Sequence, residues 1–385
     1  GIDERHLRAI DRWREIVLEV AREEMLHLAQ VNNLLAAIGS APRVARPNLP
    51  ASGRHFPPAV QFALVPFGER ALRHFLYLER PEGITLRDAD GFEVQEEAEP
   101  LMSEEDIVPR PQDFATVGHL YRSIEEGFRH LAAKHGERWL FIGPPRAQAR
   151  PETFRWPHLV PVTDLASALA AIDIIVEQGE GPRGHWADAH YGRFLEVLGE
   201  YLEFRKHDPT FEPARPVMAA CVRPPVDGTK APLVTDPTTA RVLDSFNVAY
   251  EIVLYLLARY FGHGSESDAE LETLADVAVM MMIDVIAPLG ELITTLPAGE
   301  EYPGMNAGPS FELFYGSGYL LPHRRSAWIL LHERLIELET FVRGVTTELS
   351  PHEATLETIA DRVRTHSEAL AATMPELASR TFEVG

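Results

Sequence analysis

The sequence predicts a mostly α-helical protein with irregular insertions. Apolar residues recur at the 3.6-residue period over most of the chain. Only one short stretch, Gln61 to Pro66, reads as a strand, and prolines gather between the periodic stretches rather than within them. The 385 residues suggest two or three domains, at about 150 residues per domain.

The first helix is expected from Leu7 to Ile38. Its apolar positions are Ile10, Trp13, Val17, Val20, Leu28, Val31, Leu35 and Ile38, and Gly39 followed by Pro42 closes it. A loop follows, built on Pro42, Pro47, Pro50, Pro57 and Pro58, and then a short helix from Glu69 to Leu78. Phe92 to Asp106 carries seven acidic side chains and few apolar ones, and reads as a mobile surface loop. A helix from Asp113 to His135 has Val117, Leu120, Ile124, Phe128 and Leu131 as its stripe. Thr163 is the expected N-cap of a helix ending near Glu177. A glycine-rich bend, Gly179 to Gly184, leads into a helix over Ala187 to Phe204. The proline-rich stretch 206–238 is read as a linker. Helices near 239–261, 267–287, 324–345 and 352–373 then make a C-terminal helical region, 239–385.

Composition excludes several functions. With 36 basic and 58 acidic side chains the net charge is −22, which repels phosphate backbones, so no nucleic-acid partner is expected. A single cysteine, Cys221, allows no internal disulfide and no thiolate metal cluster, and it fits a reducing, cytoplasmic compartment. The most apolar stretch, Val277 to Leu296, is interrupted by Asp284, Pro288 and Glu291, so no membrane span is expected. Asp3, Glu4 and Arg5 leave no apolar signal core at the start.

Two constellations carry possible chemistry. On the first helix, Glu24 falls at the middle of the stripe of Trp13, Val17, Val20, Val31 and Leu35. His27 sits about 60° away at its edge, and Glu23 points further towards solvent. A carboxylate on a buried face costs several kcal/mol unless something neutralises it. A metal ion does so, and Glu and His at i, i+3 both project inward in carboxylate helix bundles. The plain alternative is a buried Glu24 paired with an arginine or a partner helix. The second constellation joins Glu177 and Glu180, at the end of one helix, to His190 at the start of the next. An acid at a helix C-terminus opposes the helix dipole, and a cation relieves it. Here the plain alternative is that the glutamates solvate a helix end while His190 caps the following helix. Ala187 stands where a two-metal pattern needs a carboxylate three residues before His190, and Asp188 is one residue off. His332 and Glu339 read as a polar rim, Met280 to Met282 as core, and Gly308-Pro309-Ser310-Phe311-Glu312 as a turn.

Three stretches resemble the ferritin-like domain family named after iminophenyl-pyruvate dimer synthase, related to enzymes of bisindole pigment pathways. They are Glu23-Glu24-Met25-Leu26-His27-Leu28 continuing to Asn33–Gly39, Phe141-Ile142-Gly143 through Val160–Leu165 to Glu177–Gly181, and Ala189-His190-Tyr191 with Arg193-Phe194. Weaker similarity continues at Phe246–Tyr250 and Gly308–Glu312. The resemblance implies a ferritin-like bundle over 1–205, with a long insertion at about 41–160. It also implies a first, glutamate-bearing helix without counterpart in this chain. It carries metal-ligand roles onto Glu24, His27, Glu177 and His190, with Glu180 competing with Glu177. The functional expectation is a metal-binding protein, an iron-dependent oxidoreductase acting on a small amino-acid-derived substrate, since characterised relatives couple such imines oxidatively. Mixed carboxylate and imidazole ligands suit iron, with zinc and manganese behind. Assembly into a homo-oligomer is compatible with the sequence. The rival reading is a metal-free helical scaffold working through protein contacts.

Overall fold

The computed structural model of the chain describes residues 3–50, 62–90, 116–182, 185–225, 230–314, 323–374 and 377. In chain order the helices are α1 (Glu4–Ala37), α2 (Glu69–Leu78), α3 (Val117–His135), α4 (Glu137–Leu140), α5 (Pro151–Phe154), α6 (Leu165–Gly179), α7 (His190–His207), α8 (Pro237–Phe261), α9 (Asp268–Met281), α10 (Ala287–Ile293), α11 (Arg324–Thr346) and α12 (Glu353–Thr373). The mostly helical class expected from periodicity is what forms. Pro57, Pro58, Gln61 and the acidic stretch from Phe92 lie outside the described residues.

Local chemistry explains where the bounds differ from expectation. The Asp3 side chain accepts from Arg5 and His6 N–H groups, so α1 starts earlier than its first apolar residue. Asp164, not Thr163, caps α6, because its carboxylate and the Ser167 hydroxyl satisfy each other's backbone in a capping box. The expected α7 start at Ala187 moves to His190. Of the expected strand, Phe62 forms a single β-bridge and no strand forms over 63–66. A π-helical turn, Met282–Ile286, joins α9 to α10 just ahead of Pro288. Widening the helix there relieves the clash of the proline ring with the preceding turn.

The continuous helical stretch Asp268–Ile293 does reach the length and apolarity of a membrane span, contrary to the expectation from its interruptions. In the structure 44% of that window is buried inside the protein, and Asp284 within it pairs with His366 at 2.9 Å.

The chain divides into two compact units. The first comprises 1–39, 50–145 and 158–214, the second 40–49, 146–157 and 215–385. The expected linker is thereby divided at 214/215, and the expected insertion at 41–160 contributes to both. In the first unit, α1 serves two apolar clusters. Ala9, Trp13 and Val20 pack with Leu72, Phe194, Val197, Tyr201 and Phe204 of α2 and α7. Leu34 and Ala37 pack with Phe128, Ala168, Ala171 and Ile172 of α3 and α6. The α1 segment between these clusters carries the polar residues Glu23, Glu24 and His27. In the second unit α8 is buried nearly all round, as a helix apolar on every face must be. It packs on α9 and α11, and α11 on α12. Two short parallel strands, β1 (Val217–Met218) and β2 (Asn306–Ala307), pair Val217 with Asn306.

Candidate metal centre

The middle of α1 sets the geometry. Its buried arc runs through Trp13, Val20, His27 and Leu34, while Val17, Val31 and Leu35 are only half-buried. The arc therefore centres on the direction of His27, not Glu24. The cause lies in the helix's second half, where Gln30 accepts from the Val160 N–H and Asn33 donates to the Val160 carbonyl, turning the covered face. The expected burial of Glu24 is thus corrected. Its side chain is 48% exposed, against 27% for Glu23. His27 is buried as expected.

His190, the first residue of α7, is fully buried. Its Nε2 lies 2.9 Å from Glu23 Oε2, and the same oxygen accepts from Arg193 at 2.6 Å. Its Nδ1 lies 3.1 Å from Glu24 Oε1 and 3.6 Å from Glu79 Oε2. Yet among the described residues neither contact has the geometry of a hydrogen bond to this buried nitrogen. Glu79 is the C-cap of α2, and it approaches Gly179, where a Cβ would stand 3.3 Å from its Oε2. One donor atom each from Glu24, Glu79 and His190 falls within 4.8 Å of the others. His27 lies beside them, with Nε2 2.9 Å from Gln178 Oε1, Nδ1 3.3 Å from Glu24 Oε1, and its ring stacked on His190.

The electrostatics follow from this crowding. Although its side chain is half exposed, the crowding around the Glu24 carboxyl opposes its ionisation, but the imidazoles of His190 and His27 outweigh this and hold it down at about 2. Burial likewise raises Glu23, and His190 and Arg193 pull it below the usual range. Burial would lower His190, yet Glu23, Glu24 and Glu79 push it up to about 11. Tyr121 on α3 is pushed up to about 12, first by burial and then by the charges of Glu24 and Glu79.

This donor set fits a metal ion. A buried imidazole nitrogen without a hydrogen bond faces two carboxylates, and its opposite nitrogen is held by a third, the usual support of a metal-bound histidine. Charge agrees. Three carboxylates and the Arg193 guanidinium are brought to neutrality by a divalent ion, whereas a protonated His190 leaves one negative charge uncompensated.

Of the residues singled out in the sequence, Glu24 and His190 meet in this cluster, and His27 lies against it. Glu177 is exposed on α6, and its neighbour Gln178 is the residue that turns inward. Glu180 is buried, but its carboxylate accepts from the Gly118 N–H at 2.6 Å and the Glu82 N–H at 3.3 Å. It thus sits at the positive end of α3, whose N–H groups offset part of the burial that raises its pKa. Helical spacing does not single out Glu79, and it places Glu23 towards solvent. A signal for Glu79 existed, since an acid just past the end of a helix is the same feature that drew attention to Glu177. For Glu23 the signal was its three-residue spacing from Leu26 and four-residue spacing from His27, both buried.

The chain is 30% identical over 319 residues to dichlorochromopyrrolate synthase of Lentzea aerocolonigenes, a match covering 78% of this chain and 30% of that protein. It is 27% identical over 308 residues to 2-imino-3-(indol-3-yl)propanoate dimerase of Chromobacterium violaceum, covering 77% of this chain and 27% of that protein. The chain thus spans less than a third of the length of these relatives. No solved structure matches it. A family model described as ferritin-like matches residues 4–199. That span contains every residue of the cluster, and the chain belongs to the ferritin-like family.

Proposed function

We propose that the chain binds a metal ion, iron first, through Glu24, Glu79 and His190, and serves as an oxidoreductase module for a small amino-acid-derived substrate. The observation carrying this reading is the buried His190 Nδ1, which faces two carboxylates and bonds to neither. His27 is the next donor in reach. Glu177 and Glu180, the other ligand candidates, stand outside this reading because each has an environment that needs no ion. The imino acid in one relative's name makes an aromatic imino acid the first substrate class to try. The ion, when bound, would supply one-electron redox chemistry. The protein's part is to hold and orient. Glu23 fixes the His190 ring, Arg193 fixes Glu23, and Gln178 fixes His27. Tyr121, protonated at neutral pH, is a hydrogen-bond donor beside the carboxylates. A cytoplasmic setting, on the strength of the single buried thiol, and assembly with further copies belong to the same reading.

One observation favours the rival scaffold. A proton on His190, held up to about 11, partly neutralises the cluster with no metal at all. Elemental analysis of the purified chain, with thermal melts in Fe(II), Zn(II) and Mn(II), separates the two. Ions binding only the folded protein stabilise it by about 2.7 kcal/mol at a hundredfold excess over Kd. We expect that stabilisation in the wild type, and its loss in His190→Ala and Glu79→Gln. A metal-free protein whose melting point ignores all three ions would leave the scaffold.

A further inference from the structure

The second unit holds a cavity of about 300 Å³ that the metal centre does not use. Its walls include Pro224, Pro225 and Phe314, with Arg223, Cys221 and Glu312 supplying its polar atoms. We propose that this cavity binds a small, flat organic cation, an aryl-alkyl amine, with the ammonium on Glu312 and the ring against Pro224, Pro225 and Phe314.

Glu312 carries the argument. It is only 5% exposed. Its Oε2 accepts from the Val222 N–H at 2.7 Å, the Ser310 hydroxyl at 2.8 Å and the Asn247 amide at 3.4 Å. Among the described residues, its Oε1 accepts from the Arg223 N–H alone, at 3.3 Å. One oxygen is therefore saturated, while the other keeps capacity for a stronger donor. All of these donors are neutral. The nearby cation, the Arg223 guanidinium, is turned to Asp244, with contacts of 3.0 and 3.4 Å, and lies over the Phe314 ring. Its charge is thus paired elsewhere. The resulting negative field is felt by the neighbours. Burial first, and Glu312 second, push the Cys221 thiol up to about 11. Asp244 is raised by burial and, despite Arg223, by Glu312 as well. A buried carboxylate with spare capacity and no counter-charge favours a cation over an anion.

The backbone is built to present this group. Phe311 has φ of +52°, a left-handed conformation that is costly for an aromatic residue and persists only when its surroundings enforce it. Those surroundings are present. Arg46 donates to the Phe311 carbonyl at 2.7 Å and to the Tyr250 hydroxyl at 3.1 Å. The Phe311 ring packs edge-on against Phe246 and Tyr250, and Asn247 holds both Ser310 and the Glu312 N–H. This clamp orders the Ser310–Glu312 turn, so the stretch that the sequence marked only as a turn forms one side of a cavity. Its walls suit a flat apolar body, and its volume suits a molecule of one or two rings.

Cys221 is the chain's single cysteine and lines the cavity, so it reports occupancy directly. The experiment follows alkylation of Cys221 in the intact protein, with and without tryptamine or indole-3-propionate, two ligands of like ring and opposite charge. Saturating tryptamine should slow the reaction on the order of tenfold by mass action, and indole-3-propionate should leave it unchanged. No protection by tryptamine, or equal protection by both, would overturn the proposal. Glu312→Gln should abolish the difference between the two ligands while retaining a cooperative melt. If that variant fails to fold, Phe314→Ala decides, because it removes a wall and leaves the Glu312 hydrogen bonds intact. It should weaken tryptamine about tenfold, and unchanged affinity would count against the site. Metal content enters neither readout, so failure here is distinct from failure of the metal centre.

Discussion

At the scale of single residues, the question at the metal centre is why one imidazole is positioned so completely. The His190 ring is held on one side, because Glu23 holds Nε2 and Arg193 holds Glu23. Supporting carboxylates of this kind set the ring orientation and the basicity of a ligating histidine. Glu23→Gln keeps the shape but removes the charge. We expect metal affinity to fall about 10- to 100-fold, measured by competition with a chelator. Glu177→Gln, on the exposed end of α6, should change nothing. Equal affinity in wild type and Glu23→Gln would mean that packing alone orients His190.

At the scale of elements, the docking of α3 rests on an unusually close approach. A Cβ at Gly118 would run into the Glu180 carboxylate, which the Gly118 and Glu82 N–H groups otherwise hold. Alanine is favoured over glycine in a helix by about 1 kcal/mol at most. Here that gain competes with overpacking and with the loss of hydrogen bonds to a charged acceptor, each about 1–3 kcal/mol. Gly118→Ala should therefore lower the melting temperature. A rise would show that the Glu180 side chain can retreat without cost. Because α3 also carries Tyr121, the same variant should disturb the metal centre from a distance.

At the scale of the whole molecule, acid sensitivity follows from carboxylates held below their ordinary value of 4.5. In the first unit these are Glu23 and Glu24, the latter at about 2. In the second unit, burial opposes the charge of Glu266, but its bonds to Arg259 win. Ser267 and Arg324 do the same for Glu270. A depressed folded-state pKa contributes stability that is present above 4.5 and lost as pH falls through the folded value. Glu180 and, in the second unit, Asp244 have the opposite sign, since burial raises both. Their contributions are present below their ordinary values and are lost as pH rises through the raised ones. The four depressed glutamates outnumber these two, so the urea midpoint should hold near neutrality and fall steadily below about pH 4.5. Glu266→Gln should be less stable at neutral pH, because the buried Arg259 guanidinium loses its charged partner, and should lose less on acidification. Parallel pH profiles for variant and wild type would remove Glu266 from this account.

Local sequence determined most of the helices. The stripes of α1, α8, α11 and α12 and the break at Gly39 are short-range features that 3.6-residue spacing discloses, while the caps Asp3 and Asp164 lie apart from the starts that periodicity marked at Leu7 and Thr163. The mostly helical class followed from them. Which face of α1 is covered did not, because the covering comes from backbone near Val160, more than a hundred residues away. For the same reason helical spacing ranked Glu24 above Glu23, while tertiary packing makes Glu23 the partner of His190. Glu79 joins the cluster through the C-cap of a ten-residue helix, and no spacing relates it to residues 24 and 190. The end of α6 shows the remaining limit. One residue is 100° of rotation, enough to exchange Glu177 for Gln178 on the inner face and to leave Glu180 to the N-terminus of α3. Periodicity reports that a helix has an inner side. Which polar residues meet there is decided only when the helices pack, because charge is neutralised by whatever partner arrives.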